Sequence, residues 1–174
     1  ADGGVKFSDH PIMSPLAHMD RTCLTCHRET EETLRQNVYE RQRKVLEVRN
    51  RVEEELATAH IEAKFAWENG ATEAEMKSVL DALRKSQWRW DFAVASHGES
   101  FHAPQEMTRI LAASLDYAHQ ARLGISKVLA KHGYTDNVPM PDITTKEKAQ
   151  KYIGLDIPAK EQAKKKFLDE IVPK

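Results

Sequence analysis

At 174 residues, with 26 basic and 27 acidic side chains, the chain is about one domain long and close to electroneutral. That balance excludes a basic nucleic-acid binder, and the lack of any run of eighteen apolar residues excludes a membrane-spanning helix within the sequence. Seven Gly and seven Pro, set among long stretches of Ala, Glu, Lys, Arg and Leu, argue for a mainly α fold in which no strand is demanded.

The start, Ala1-Asp2-Gly3-Gly4, carries neither an initiator Met nor a signal sequence, so the chain reads as processed or cut from a longer one. Residues 1–30 hold Gly3-Gly4, His10-Pro11 and Ser14-Pro15 without a helical period, and an irregular segment is expected there. From Glu31 to Asn69 neither Gly nor Pro interrupts the chain, which predicts a single helix roughly 55 to 60 Å long. Val38, Val45, Val52, Ala59 and Ala66 recur every seven residues along it, with Leu34 and Val48 on the neighbouring seam. This coiled-coil-like stripe could pack within the chain or against a second copy; a helix projecting that far from a small domain needs something to lie along, which favours self-association.

Asn69-Gly70 ends the first helix, and Thr72 with Glu75 forms a capping box for a second that runs to about Ser96. Trp88 and Trp90 fall on this helix and are expected to be buried packing residues rather than stepping stones for electrons. A short loop holding Gly98 and His102 leads to Pro104, which suits the first turn of a third helix ending at His132 and Gly133. Pro139 and Pro141 mark an extended linker. Thr144 and Glu147 then read as a second capping box, opening a short helix that stops at Gly154. Asp156 and Pro158 begin a last helix, whose lysines from Lys160 to Lys166 suit either a solvated face or the docking of an acidic redox partner. The expected organisation is an irregular segment over 1–30, a long helical region over 31–133, and a linker with short helices over 134–174, all one structural unit.

One constellation carries sharp chemistry. Cys23-Leu24-Thr25-Cys26-His27 is a CxxCH motif, the attachment signature of a c-type haem. Two thiols three residues apart can each form a thioether to the porphyrin, and the adjacent imidazole then lies under the iron as its proximal ligand. A thioredoxin-like dithiol would require a βαβ setting that this chain lacks. A zinc site would need His10 and His18 to complete a Cys₂His₂ set, and a disulfide across so short a loop would be strained. For the sixth iron position, His10, His18, His97 and His102 are candidates. His102 stands out because Gly98 and Pro104 hold it on a constrained connection. His60, His119 and His132 read as ordinary surface or hydrogen-bonded residues.

These residues resemble the ammonia-forming, pentahaem cytochrome c nitrite reductases. The likeness runs from about Lys6 to Lys174 and corresponds to the C-terminal third of such an enzyme. It rests on Cys23-Leu24-Thr25-Cys26-His27, on Ala59-His60-Ile61-Glu62-Ala63-Lys64, on Gly70-Ala71-Thr72-Glu73-Ala74-Glu75-Met76-Lys77 and on Gln87-Trp88-Arg89-Trp90-Asp91. Ala95-Ser96-His97-Gly98, His102-Ala103-Pro104 and the run from Pro141 to Gln150 extend it.

The resemblance implies a mainly α, periplasmic multihaem segment whose long helices pack as an antiparallel bundle at a homodimer interface. It implies haem c on Cys23 and Cys26 with His27 as proximal iron ligand, and His102 and His10 as distal ligands of two other haems. The distal ligand of the haem on Cys23 and Cys26 would lie upstream. The family reduces nitrite to ammonium with six electrons at a lysine-ligated haem near a calcium site, but no CxxCK occurs here. The segment is therefore expected to relay electrons and to dimerise, with no catalytic residue and no calcium ligand of its own. Its electron donor would be a membrane-associated quinol-oxidising cytochrome or a soluble redox partner, and nucleic acid is not expected to bind. The alternatives are a stand-alone mono-haem carrier with His27 and His102 or His10 as axial pair, and a non-redox helical dimerisation module whose cysteine motif is vestigial.

Overall fold

The computed structural model describes residues 14–96 and 98–171 and is helical throughout its regular elements. They are α1 (Glu31–Glu68), α2 (Glu73–Ala95), α3 (Glu99–His102), α4 (Pro104–Lys131), α5 (Lys146–Tyr152) and α6 (Ile157–Glu170), preceded by 3-10 turns at Pro15–Ala17 and Cys23–Thr25. The chain divides into two compact units, Ala1–Tyr134 and Thr135–Lys174. No helix among the described residues is long and apolar enough to cross a membrane.

In the first unit, α4 packs extensively on both α2 and α1, and α3 lies against α1. The heptad stripe explains this arrangement. Val45 and Val52 form a buried cluster with Met107 and Leu111 of α4, while Ala59 and Ala66 further along α1 are also fully buried. The stripe is thus buried within the chain itself, the first of the two coverings that its pattern allows. Its length is used in register with α4: Leu34 and Val38 lie beside the segment before α1, Val45 and Val52 meet the start of α4, and Arg122 reaches Glu55 and Glu62. The Arg122 guanidinium grips Glu62 in a two-pronged pair, at 3.0 and 2.8 Å, and donates to Glu55 at 2.6 Å. These charge-assisted bonds fix the rotation of α4 on α1.

Where α2 crosses α4, small residues let the backbones approach. Ser86 and Ser114 are fully buried, and each hydroxyl donates to the other's main-chain carbonyl, at 2.8 and 2.7 Å. Both hydroxyl protons are therefore satisfied without water. Gly124 serves the same crossing. A Cβ there would lie 2.8 Å from Val79 Cγ2, inside the roughly 3.5 to 4.0 Å of a carbon contact. Val79 is buried and β-branched, so it cannot swing aside. Gly124→Ala is expected to destabilise the bundle by about 1–2 kcal/mol, overpacking outweighing the gain in helix propensity. Denaturant midpoints of the two proteins measure this, and an equal or higher midpoint for the variant would refute the close approach.

The caps carry a pH-dependent term. Thr72 and Glu75 form the predicted capping box, and Glu75 also pairs with His132 at 3.1 Å, tying the start of α2 to the end of α4. The Thr72 amide, then the His132 ring and the Thr72 hydroxyl, pull the Glu75 carboxyl from its usual 4.5 down to about 2. A carboxyl depressed on folding adds stability that is complete above pH 4.5 and is lost as pH falls towards 2. Glu75→Gln is expected to lower the melting temperature at pH 7 and to narrow the gap to the parent at pH 3. A gap independent of pH would contradict the assignment.

Gly70 stops α1 in the left-handed region, at φ +91, with Ala71 N–H donating to Ala66 O. In the second unit α5 and α6 bury no residue. Their caps are Thr145 and Asp156, so the expected box at Thr144 and Glu147 does not form, and the cap sits one residue later with Lys148 in the place of the reciprocal acid. The reason is local. Thr144 is engaged by Asp142 Oδ1 through both its amide, at 3.1 Å, and its hydroxyl, at 2.7 Å, leaving the extended Thr145 to cap Lys148 N–H.

Candidate functional site

The CxxCH segment owes its shape to a few local bonds. Met19 is buried as an anchor, and its carbonyl accepts from Leu24 N–H at 2.9 Å. The Thr22 hydroxyl lies 2.9 and 2.8 Å from the carbonyls of Pro15 and His18, and Arg35 on α1 donates to Leu16 O at 3.2 Å. These contacts fasten the segment to the first turns of α1. Cys26 N–H and His27 N–H both turn back to Cys23 O, at 3.2 and 2.9 Å. The two cysteines and the histidine therefore share a single tight turn, and both thiols are free.

Cys23 and His27 border a cavity of about 270 Å³. Leu34 and Val38 from α1 and Phe101 and His102 from α3 complete its lining. His102 thus faces the same space as the cysteine motif, although 75 residues separate it from His27 in sequence. It ends a helical turn closed by His102 N–H to Gly98 O at 3.4 Å, rather than lying on the expected loop. Pro104 is the cause of the break that follows. A residue before proline is disfavoured in the α region, so Ala103 takes φ −129 and ψ 52 and separates α3 from α4.

Polar groups on the cavity wall are Glu29, Asn37 and Arg41. Glu29 Oε2 stands 3.6 Å from His27 Nδ1 and accepts from Arg28 N–H at 3.0 Å. Backbone amides of Glu29 and Arg28, with His27 adding less, hold the Glu29 carboxyl below the usual carboxylate range. At 3.6 Å the Glu29 carboxylate is a charged neighbour of the His27 ring and not a hydrogen-bond partner.

The donor set fits a covalently bound haem. Two free thiols and an imidazole occupy one turn, apolar side chains line the cavity that Cys23 and His27 border, and a second imidazole lines the same cavity. Cavities that enclose a ligand run from about 300 to 1,000 Å³, so these residues embrace part of a macrocycle rather than all of it. Among the described residues no three His, Cys, Asp or Glu side chains converge as a metal cluster, and His18 does not join the cysteines in a zinc-type set.

The remaining candidates lie elsewhere. His10 and His97 fall outside the described residues. His60 bonds Gln87 at 3.3 Å, His119 lies 3.6 Å from Glu55, and His132 pairs with Glu75, all away from the cysteine turn. Trp90 packs against the Val45 cluster, but Trp88 is 63% exposed, against the expectation of burial. Residues two apart on a helix point roughly 200° from each other, so one core cannot hold both. Sequence reasoning missed Glu29, Arg41 and Phe101. Arg41 did leave a signal, since its neighbours one turn away, Asn37 and Val45, offer no acidic partner.

The whole chain, residues 1–174, matches the family described as Cytochrome c552. It is 71% identical over 173 residues to "Cytochrome c-552" of Bacteroides thetaiotaomicron, covering 99% of this chain and 35% of the relative. Proteins of the same name from Porphyromonas gingivalis and Parabacteroides distasonis are each 68% identical, over 100% and 99% of this chain and 35% of theirs. The chain spans about a third of the length of the curated relatives it matches.

Proposed function

This chain belongs to the cytochrome c552 family, and from that premise we propose that it carries one haem c covalently on Cys23 and Cys26, with His27 as the proximal iron ligand. The observation that carries this reading is the single turn that brings Cys23 and His27 to a cavity also lined by His102. The haem supplies one-electron storage and transfer. The chain's own residues do the rest: the Met19 and Thr22 bonds shape the turn, Arg35 ties its segment to α1, Glu29 places a negative charge near His27, and Leu34, Val38 and Phe101 would shield part of the group from water.

The finer reading is that this is the electron-relaying third of a periplasmic enzyme that reduces nitrite to ammonium. His102, and His10 in the segment before Ser14, would then serve irons of neighbouring haems. His102 on the shared cavity wall supports close packing of two haems, because a residue serving one also borders the other. Histidine ligands such as His27 and His102 would leave a relay iron no open position for nitrite. Calcium and the lysine-ligated haem belong to the part of the enzyme outside this chain. A homodimer and a quinol-oxidising or soluble redox donor complete the reading, with the dimer contact on faces other than the stripe buried by α4.

The test uses the full-length protein purified from a host that attaches haem c. Reduced-minus-oxidised visible spectra, haems counted per chain, and ammonium formed from nitrite are measured together. Several haems with ammonium production support the whole reading. Several haems without it limit the protein to electron transfer, one haem in total supports a mono-haem carrier, and the absence of c-type bands overturns every haem reading.

A further inference from the structure

We propose that Arg41 is the charge-compensating residue of this site: its guanidinium, anchored to the Phe101 carbonyl, receives a carboxylate of the haem attached at Cys23 and Cys26. The proposal rests on the haem reading above and adds to it a residue that no CxxCH motif specifies.

Arg41 borders the cavity that Cys23, His27 and His102 share. One of its terminal nitrogens donates to Phe101 O at 2.9 Å, across 60 residues of sequence. That bond fixes a long side chain which would otherwise sweep through solvent, and it leaves the other donors of the guanidinium fork available. Four other basic residues of α1 pair along the helix, Arg35 with Glu31, Lys44 with Glu40, Arg43 with Glu47 and Arg49 with Glu53, while Arg51 lies ten residues further on and does not border the cavity. Arg41 has no carboxylate partner among the described residues, because the residues one turn before and after it are Asn37 and Val45. The acidic residue on the same cavity wall, Glu29, is engaged instead by the Arg28 amide and by His27.

A fixed guanidinium beside an apolar wall suits a planar carboxylate, which it binds through two parallel N–H bonds. Haem presents such groups at its edge as propionates, and a macrocycle tethered through Cys23 and Cys26 lies against this wall. The charge has an electronic consequence. Reduction of the iron removes one positive charge, so a nearby cation favours the reduced state and raises the potential. The same anchor ties the position of α3, and hence His102, to the charge that sets this potential.

The test is a redox titration of full-length protein, followed by visible and electron paramagnetic resonance spectra, for the parent, Arg41→Gln, Arg41→Lys and Arg43→Gln. Haem content is counted in each. Arg41→Gln is expected to lower the potential of one haem, Arg41→Lys to recover most of that shift, and Arg43→Gln to leave the potentials at the parent values. Unchanged potentials in Arg41→Gln at full haem content would overturn the proposal, as would a shift that lysine does not recover or that Arg43→Gln reproduces. If the parent protein has no c-type bands, it is the haem reading itself that fails, and the two failures are distinguishable.

Discussion

Full-length protein carrying Cys23→Ser together with Cys26→Ser is expected to lose one covalent haem, with the intact mass of the chain falling by one haem and the c-type absorbance falling in proportion. Serine is nearly isosteric but lacks the thiolate that is the reactive form of cysteine, so no thioether can form. The single variants should differ from each other and from the pair. Cys23 is half-buried and borders the cavity, whereas Cys26 is exposed. Cys26→Ser is therefore expected to keep one tether, and a spectrum altered by one remaining vinyl group. Because the thiols make only long contacts, with the Thr22 and Thr25 hydroxyls at 3.6 and 3.8 Å, the turn itself should survive these substitutions. An unchanged mass in the double variant would remove haem attachment from this chain altogether.

Leu111→Ala is expected to have the largest effect on the scaffold, about 3–4 kcal/mol. Leu111 is fully buried among Val45, Val52 and Met107, where α1 and α4 are already locked by the Arg122 pair and cannot collapse into the space left behind. Leucine-to-alanine changes in such sites cost about 2 to 5 kcal/mol, and poor relaxation pushes the value upward. In native-state hydrogen exchange of the full-length protein, this should reduce protection of the α4 amides by roughly two to three decades. Leu123, on the same helix but 59% exposed, supplies the contrast, since Leu123→Ala should change protection by less than about 0.5 kcal/mol. Equal effects at the two sites would mean that α4 does not pack as described.

The site and the scaffold were legible to different depths. CxxCH is a local chemical statement, and the structure places Cys23, Cys26 and His27 on one turn closed by the Cys26 and His27 amides on Cys23 O and braced within a few residues by Met19 and Thr22. Helix existence was equally local: an uninterrupted run to Asn69-Gly70, the Thr72–Glu75 box and Pro104 each act within a few residues. Where two local signals competed the reading slipped, as at Thr144, whose hydroxyl serves Asp142 and so yields the cap to Thr145. The seven-residue stripe was visible too, but a stripe states only that a face must be covered and is silent on what covers it.

The sequence by itself determined that this protein is helical, where the long helices α1, α2 and α4 begin and end to within a residue, and that it bears a haem-attachment motif. Each of those follows from propensity, capping or side-chain chemistry acting over one or two turns. Only the tertiary structure decided that the stripe of α1 is spent on α4, that Trp90 faces the core and Trp88 does not, and that His102 and Arg41 join the cysteine turn at one cavity. These outcomes depend on which surfaces meet across some 60 to 75 residues of chain. That choice is made by the sum of many small packing terms, the Ser86–Ser114 contact, the space left by Gly124 and the Arg122 pair among them, and by no single residue pattern.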